Sequence, residues 1–333
     1  MRVLFTHVRG CLKPVHAAWL ENPDSRARGS GIGLRSGVPD SGFTSYSFER
    51  VTDFMTTVPF SGHLVHEKFG QLTYLERVAD SSVINVFFHG LGLDATDYQE
   101  YLETHETHGI AVSLAGYAPG NPLPPVPVNE HVEMVAGLVE QVSRKHPLKR
   151  IILIGFSLGA DLVLQLAERW TADSGSRRPP VAGVLLLDPN VNQSTMTISR
   201  LFAEADHSDP TDALKELVSL ARDQDVFRSL CNYALKVTSK DFGQVHQMAT
   251  DMIHYWDPTG YDQFGARVTQ VAEVADVVNI VLSADYEEHL AGMRNALRRH
   301  GPHVTNVSLS LTGMDHFDLI ENDSLSRELK AIS

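Results

Sequence analysis

Ser157 stands in the segment Gly155-Phe156-Ser157-Leu158-Gly159, between the apolar run Arg-Ile-Ile-Leu-Ile-Gly-Phe (150–156) and a run with helical periodicity. A serine on a tight strand-to-helix turn has its hydroxyl held clear of the sheet. The flanking glycines lack Cβ atoms, so neighbouring segments can approach closely. The helix that follows aims backbone N–H groups and a partial positive charge at the same point. Such an arrangement suits a nucleophile attacking a carbonyl, because negative charge then develops beside fixed donors. The pentapeptide alone is a common turn; the strand before it and the helix after it make Ser157 a candidate nucleophile.

Other residue patterns carry less chemistry. No His-Glu-x-x-His is present, and the stretches HEKF, HETH and HQM are scattered. His105 and His108 in THETH could share a metal ion, although a solvated helix face is the simpler reading. Gly31-Ile32-Gly33 follows no strand pattern, and no Gly-rich dinucleotide or phosphate loop is evident, so no cofactor is expected. Two cysteines, Cys11 and Cys231, cannot build a disulfide framework or a four-cysteine metal site.

The elements that would position Ser157 alternate. GHLVHEKF and GQLTYLERVA read as two strands around Gly70, and SSVINVFFHG as a buried strand ending at His89-Gly90. A strand is expected from about Ile110 to Leu114, then a Pro-rich loop. Val128, Val132, Val135, Val139 and Val142 mark one face of a helix. Leu158, Leu162 and Leu166, with Val163, Ala167 and Trp170, mark the next. VAGVLLLDPN, ADVVNIVLSAD and HVTNVSLSL read as later strands, with a helix over EEHLAGMRNALRRH closed by Gly301. This alternation implies an α/β fold, a mostly parallel central sheet with helices on both faces. Residues 191–262 interrupt it with helical patterning and no convincing strand, which predicts an inserted helical cap. Met248, Met252, His254, Tyr255 and Trp256 are candidate pocket-lining residues there, although such stripes are commonly ordinary packing. The core then comprises 55–190 and 263–333.

Residues 1–54 are rich in Gly, Ser, Arg and Pro without sustained period, so a disordered extension is expected, with the functional unit beginning near Met55. That segment carries a formal charge of +2 within a chain total of −13. The acidic remainder disfavours a nucleic-acid or anionic-membrane partner. No apolar run reaches membrane-spanning length. Together with the two cysteines, this makes a cytoplasmic protein the expectation; the oligomeric state is not legible.

From residue 62 onward the chain resembles the α/β-hydrolase superfamily, through FFHGLGLDATDY, IGFSLGADLVL and GMDHFDLI. The loop AGYAPGNP is also similar to the family's turn after the strand that follows. The resemblance implies that the N–H groups of Leu91 and Leu158 form an oxyanion hole, with His89 a structural residue of that loop. It implies that His316, after the last strand, is the base; Asp315 precedes it where family members often carry Gly. The acid is expected at Asp285, after the strand following the cap. Glu287 and Glu288 compete if that strand ends later, and Asp188 is an alternative because some members place the acid at the end of the preceding strand. A serine elbow excludes relatives such as haloalkane dehalogenases and epoxide hydrolases, which need a carboxylate there. The implied activity is serine-dependent hydrolysis of a carboxylic ester or thioester of a small, largely apolar substrate through an acyl-enzyme. An acyltransferase or lyase on the same scaffold is the alternative, then a non-catalytic binder.

Overall fold

Apolar runs bounded by turn residues become strands, and the intervening periodic segments become helices. In chain order these are β1 (Phe60–His66), β2 (Gly70–Arg77), β3 (Val83–Phe88), α1 (Gln99–Thr104), β4 (His108–Ser113) and α2 (Val128–Lys145). Then come β5 (Arg150–Phe156), α3 (Leu158–Ala172), β6 (Val181–Leu187), α4 (Thr197–Ala203), α5 (Thr211–Ser219), α6 (Gln224–Thr238) and α7 (Phe242–Tyr255). The chain closes with α8 (Asp262–Val274), β7 (Ala275–Leu282), α9 (Leu290–His300), β8 (Val307–Leu311) and α10 (Asn322–Lys330). The computed structural model describes residues 60–66, 70–117, 124–172 and 178–332, and the side chains from residue 72 onward within these. The extension expected over 1–54 lies outside the described residues.

The strands form one eight-stranded sheet in the order β1-β2-β4-β3-β5-β6-β7-β8. β2 runs antiparallel to both β1 and β4; the ladders from β4 through β3, β5, β6 and β7 to β8 are parallel. The near-continuous apolar runs of β3, β5 and β6 are buried along almost their whole length, as parallel strands covered on both faces must be. β8, at the edge, alternates between half-buried and exposed positions. One helical layer is the row α2, α3, α8 and α9, each packed on the next; α1 packs with α10. The valine stripe of α2 does what its spacing predicts, with Val132, Val135, Val139 and Val142 all buried.

Residues 191–262 hold α4 to α7, and α8 begins at Asp262. Met248, Met252 and Trp256 of α7 and its end are almost wholly buried, because α7 packs against α4 and reaches α2. They are core residues of the insertion and do not line the large cavity beside Ser157.

Two sequence expectations shift locally. Residues 284–289 form a 3-10 turn, so the helix expected from Glu287 starts at Leu290. His108 opens β4 and is fully buried, whereas His105 ends α1 and stacks on Tyr101 at 4.1 Å. The two therefore do not share a solvated helix face.

Candidate active site

The turn at Ser157 is as tight as its glycines allow. Ser157 has φ 51, a left-handed value that is strained for a residue with a side chain. Its N–H donates to the Leu187 carbonyl at 2.8 Å, and its own carbonyl accepts from Ala160 N–H at 2.8 Å, so the helix winds from the serine itself. A Cβ on Gly155 would lie 2.5 Å from the Gly159 carbonyl oxygen, and one on Gly159 would lie 2.1 Å from that of Phe88. Both contacts are with backbone that cannot yield, so α3 sits on β5 and β3 only because neither residue has a side chain.

One step along the sheet, Asp188 repeats the pattern. It is the first residue past β6, has φ 44, and donates its N–H to the Val281 carbonyl at 2.9 Å. Its side chain is fully buried. Oδ1 accepts from the Ser283 N–H at 2.6 Å, and Oδ2 lies 2.7 Å from Nδ1 of His316. Tyr286 donates to the Pro189 carbonyl at 3.0 Å and pins the loop just beyond. Across β8, the N–H of Thr312 donates to Leu282 at 2.8 Å, and the chain then turns toward His316. The imidazole packs against Phe156, next to Ser157, with ring centroids 4.6 Å apart.

Asp285, expected to orient His316, does not meet it. The residue lies in the 3-10 turn after β7 with its side chain 48% exposed, and it pairs with Arg222 at 3.0 Å. Arg222 also reaches Asp315 at 3.2 Å. Asp188 is the first residue past β6, in a left-handed turn that buries its side chain beside His316, whereas Asp285 stands three residues past β7 in a 3-10 turn, where its side chain borders the cavity but pairs with Arg222. Glu287 and Glu288 are exposed, and Glu288 borders the cavity without reaching His316 by any hydrogen bond or ion pair among the described residues. Asp315 is pushed up from the ordinary carboxylate value by partial burial, with Arg222 opposing and Asp318 and Asp285 adding to the rise.

Ser157, Asp188 and His316 line a single cavity of about 400 Å³, enough for a small organic ligand. Its apolar wall comes from the insertion, with Met196, Ile198, Val226, Leu230 and Tyr233, facing Phe156 and Phe317 of the core. These insertion residues were missed in the sequence, where α7 carried the more conspicuous aromatic and Met stripe. Leu91 borders the same cavity, and Leu158 is the first residue of α3. Behind the elbow, Asp161 is wholly buried and accepts from the Asn190 amide at 2.5 Å. Burial drives this carboxyl up to about 7 against the opposing pull of Asn190, the Trp256 indole and the Arg267 charge.

One group of described residues has metal-ligand chemistry. Oxygen and nitrogen atoms of Glu76, His108 and His146 lie within 4.8 Å of one another. The space between them is already used: His108 is 3.0 Å from Glu76, Lys145 is 3.5 Å from Glu76, and Lys149 is 3.1 Å from the other nitrogen of His108. Two ammonium groups oppose a further cation there.

A model of the alpha/beta hydrolase family matches residues 86–323, most of the chain. The chain belongs to that family. No curated protein matches it in sequence. Among solved structures, this hydrolase is similar to one from a study of carboxylesterases of the thaumarchaeon Nitrososphaera gargenis, at 14% identity and TM-score 0.61, with 81% of this chain and 98% of that one covered. A thermophilic esterase from Thermogutta terrifontis matches at 14% identity and TM-score 0.58, covering 82% and 98%. An AqdC variant that cleaves the ring of the Pseudomonas quinolone signal matches at 16% identity and TM-score 0.61, covering 82% and 98%. At these identities the likeness is one of fold, and the fold hosts more than one chemistry. No described helix of this hydrolase is long and apolar enough to cross a membrane.

Proposed function

We propose that this hydrolase cleaves a carboxylic ester or thioester of a small, largely apolar substrate through an acyl-enzyme on Ser157. The observation that carries the reading is the contact between His316 Nδ1 and the buried Asp188 carboxylate at 2.7 Å, beside a serine held at φ 51. With Nδ1 committed to Asp188, Nε2 is the nitrogen left to take the proton of Ser157 Oγ as that oxygen attacks the carbonyl carbon. Asp188 then stabilises the imidazolium without itself taking a proton. The oxyanion forms beside the N–H groups of Leu91 and Leu158, the second at the positive end of α3. The imidazolium returns its proton to the leaving alcohol or thiol. Water, deprotonated by the same nitrogen, releases the acid. The apolar wall of the cavity supports an apolar acyl or alkyl group.

The test is a screen of p-nitrophenyl esters and acyl-CoA thioesters, with fluorophosphonate labelling alongside. The expected result is turnover and labelling by the native chain, and neither by Ser157→Ala at an unchanged melting temperature. Ester turnover by Ser157→Ala at the native rate would rule the reading out.

A further inference from the structure

We infer that Tyr233, on α6 of the insertion, is a positioning residue for the Leu91 N–H, so that the helix over the cavity is part of the oxyanion framework. The inference rests on the reading of Leu91 as an oxyanion donor.

The peptide groups on both sides of the Leu91 Cα are anchored. On the N-terminal side, the Gly90 carbonyl belongs to the same peptide as the Leu91 N–H. It accepts from His89 Nδ1–H at 2.7 Å and from Leu93 N–H at 3.2 Å. His89 can donate there because its Nε2 accepts from the Leu114 N–H at 3.2 Å, which fixes the tautomer. Burial holds His89 below its ordinary range, in keeping with a neutral ring. On the C-terminal side, the Leu91 carbonyl accepts from the Tyr233 hydroxyl at 2.7 Å, in a fully buried bond. Burial holds the phenol far above its usual range, so it remains a donor across ordinary pH. With both peptides held, the torsions of Leu91 are set, and so is the direction of its N–H.

Tyr233 is held in turn. Residues 233, 236 and 237 share one face of α6, Lys240 lies two residues past its end, and each of the four meets the loop after β3. Val237 packs on Gly92, where a Cβ would lie 2.5 Å from its methyl and 3.2 Å from the Tyr233 oxygen. Gly92 has φ 75, so glycine is required there on two counts. Lys236 pairs with Asp97, and Lys240 with Asp94 in a nearly buried pair. Asp94 and Asp97 also form the capping box that starts the 3-10 turn at Ala95. The helix is thus fastened to the oxyanion loop at three positions, and the chain just past its end at a fourth.

Removing the hydroxyl leaves the Leu91 carbonyl buried without its donor and lets that peptide rotate. A donor misplaced by a fraction of an ångström weakens the transition state more than the bound ester. Tyr233→Phe keeps the ring against Phe317 and the cavity, so KM is expected to stay within about twofold while kcat falls about tenfold. Inhibition by an aryl trifluoromethyl ketone, whose adduct with the serine carries an oxyanion, should weaken by the same factor as kcat/KM, at a melting temperature close to native. If Tyr233→Phe folds poorly, Lys240→Met loosens the attachment just past the C-terminal end of the same helix, outside the cavity, and should show the same pattern at about a threefold loss in kcat. Unchanged kcat in a folded variant overturns the inference, as does a loss confined to KM. Those outcomes leave Ser157 in place, since the native chain would still turn over ester and take the fluorophosphonate. A native chain that does neither removes the serine reading and this one together.

Discussion

The rims of β6 and β7 each present an aspartate within a few residues of the strand end, and the two live in different worlds. Asp188 is fully buried, held in a left-handed turn, and has one oxygen on a backbone N–H and the other on His316. Asp285 is half exposed, sits in a 3-10 turn, and answers to an arginine from the insertion. A carboxylate that must hold an imidazole in one tautomer needs low dielectric and fixed geometry. One that pairs with a long surface side chain in water contributes little. Position after a strand therefore does not decide which carboxylate meets the imidazole; the backbone turn that carries it does.

The strongest way to break this contrast is to neutralise each carboxylate at nearly constant shape. Asp188→Asn should lower kcat for an activated ester by about 10³–10⁴-fold, because the amide can hold His316 in the wrong tautomer. If Asp285→Asn gave the larger loss, the roles of the two rims would be reversed.

A smaller effect is expected behind the elbow. Asp161, raised to about 7 in the folded chain from 3.8, contributes stability that is fully present below about pH 4 and is lost as pH rises through about 7. Asp161→Asn carries no ionisable group there. Relative to that variant, the native chain should therefore lose melting temperature between about pH 4 and pH 7 and show little further change above it. A difference independent of pH would mean that Asp161 is not the titrating group.

The smallest effects belong to the β7 rim. Arg222→Met should change stability by no more than about 1 kcal/mol, with the difference shrinking in high salt, since both partners are exposed. Asp285→Asn should change kcat by no more than about threefold, by the same argument. Steady-state kinetics and thermal melts at two salt concentrations check both.

How much of this was legible in the sequence follows from how local each signal is. The tight turn at Ser157 is legible because strand, glycines and helix are contiguous, and the strands themselves are short apolar runs between turn residues. His316 was reachable through resemblance, from its place after the last strand. The choice between Asp188 and Asp285 was not local: it depended on two backbone turns and on Tyr286 pinning Pro189. The dipeptide Asp188-Pro189 was a usable hint, since a residue before proline is kept from continuing as a right-handed helix. The cavity wall was illegible for a related reason. α6 and α7 are both amphipathic, and periodicity says that a helix has an apolar face without saying what that face meets.

Three hydrogen bonds at the strand ends share one form: Ser157 donates to β6, Asp188 to β7, and Thr312, at the start of the turn to His316, to the end of β7. Each is made by a residue just past its own strand. The lateral separation of Ser157, Asp188 and the turn to His316 is therefore inherited from the pitch between neighbouring strands, about 4.8 Å, and owes nothing to the length of chain connecting them. The whole insertion and α8 can intervene between β6 and β7 without displacing the Asp188–His316 contact, while a single-residue slip between those strands would dismantle it.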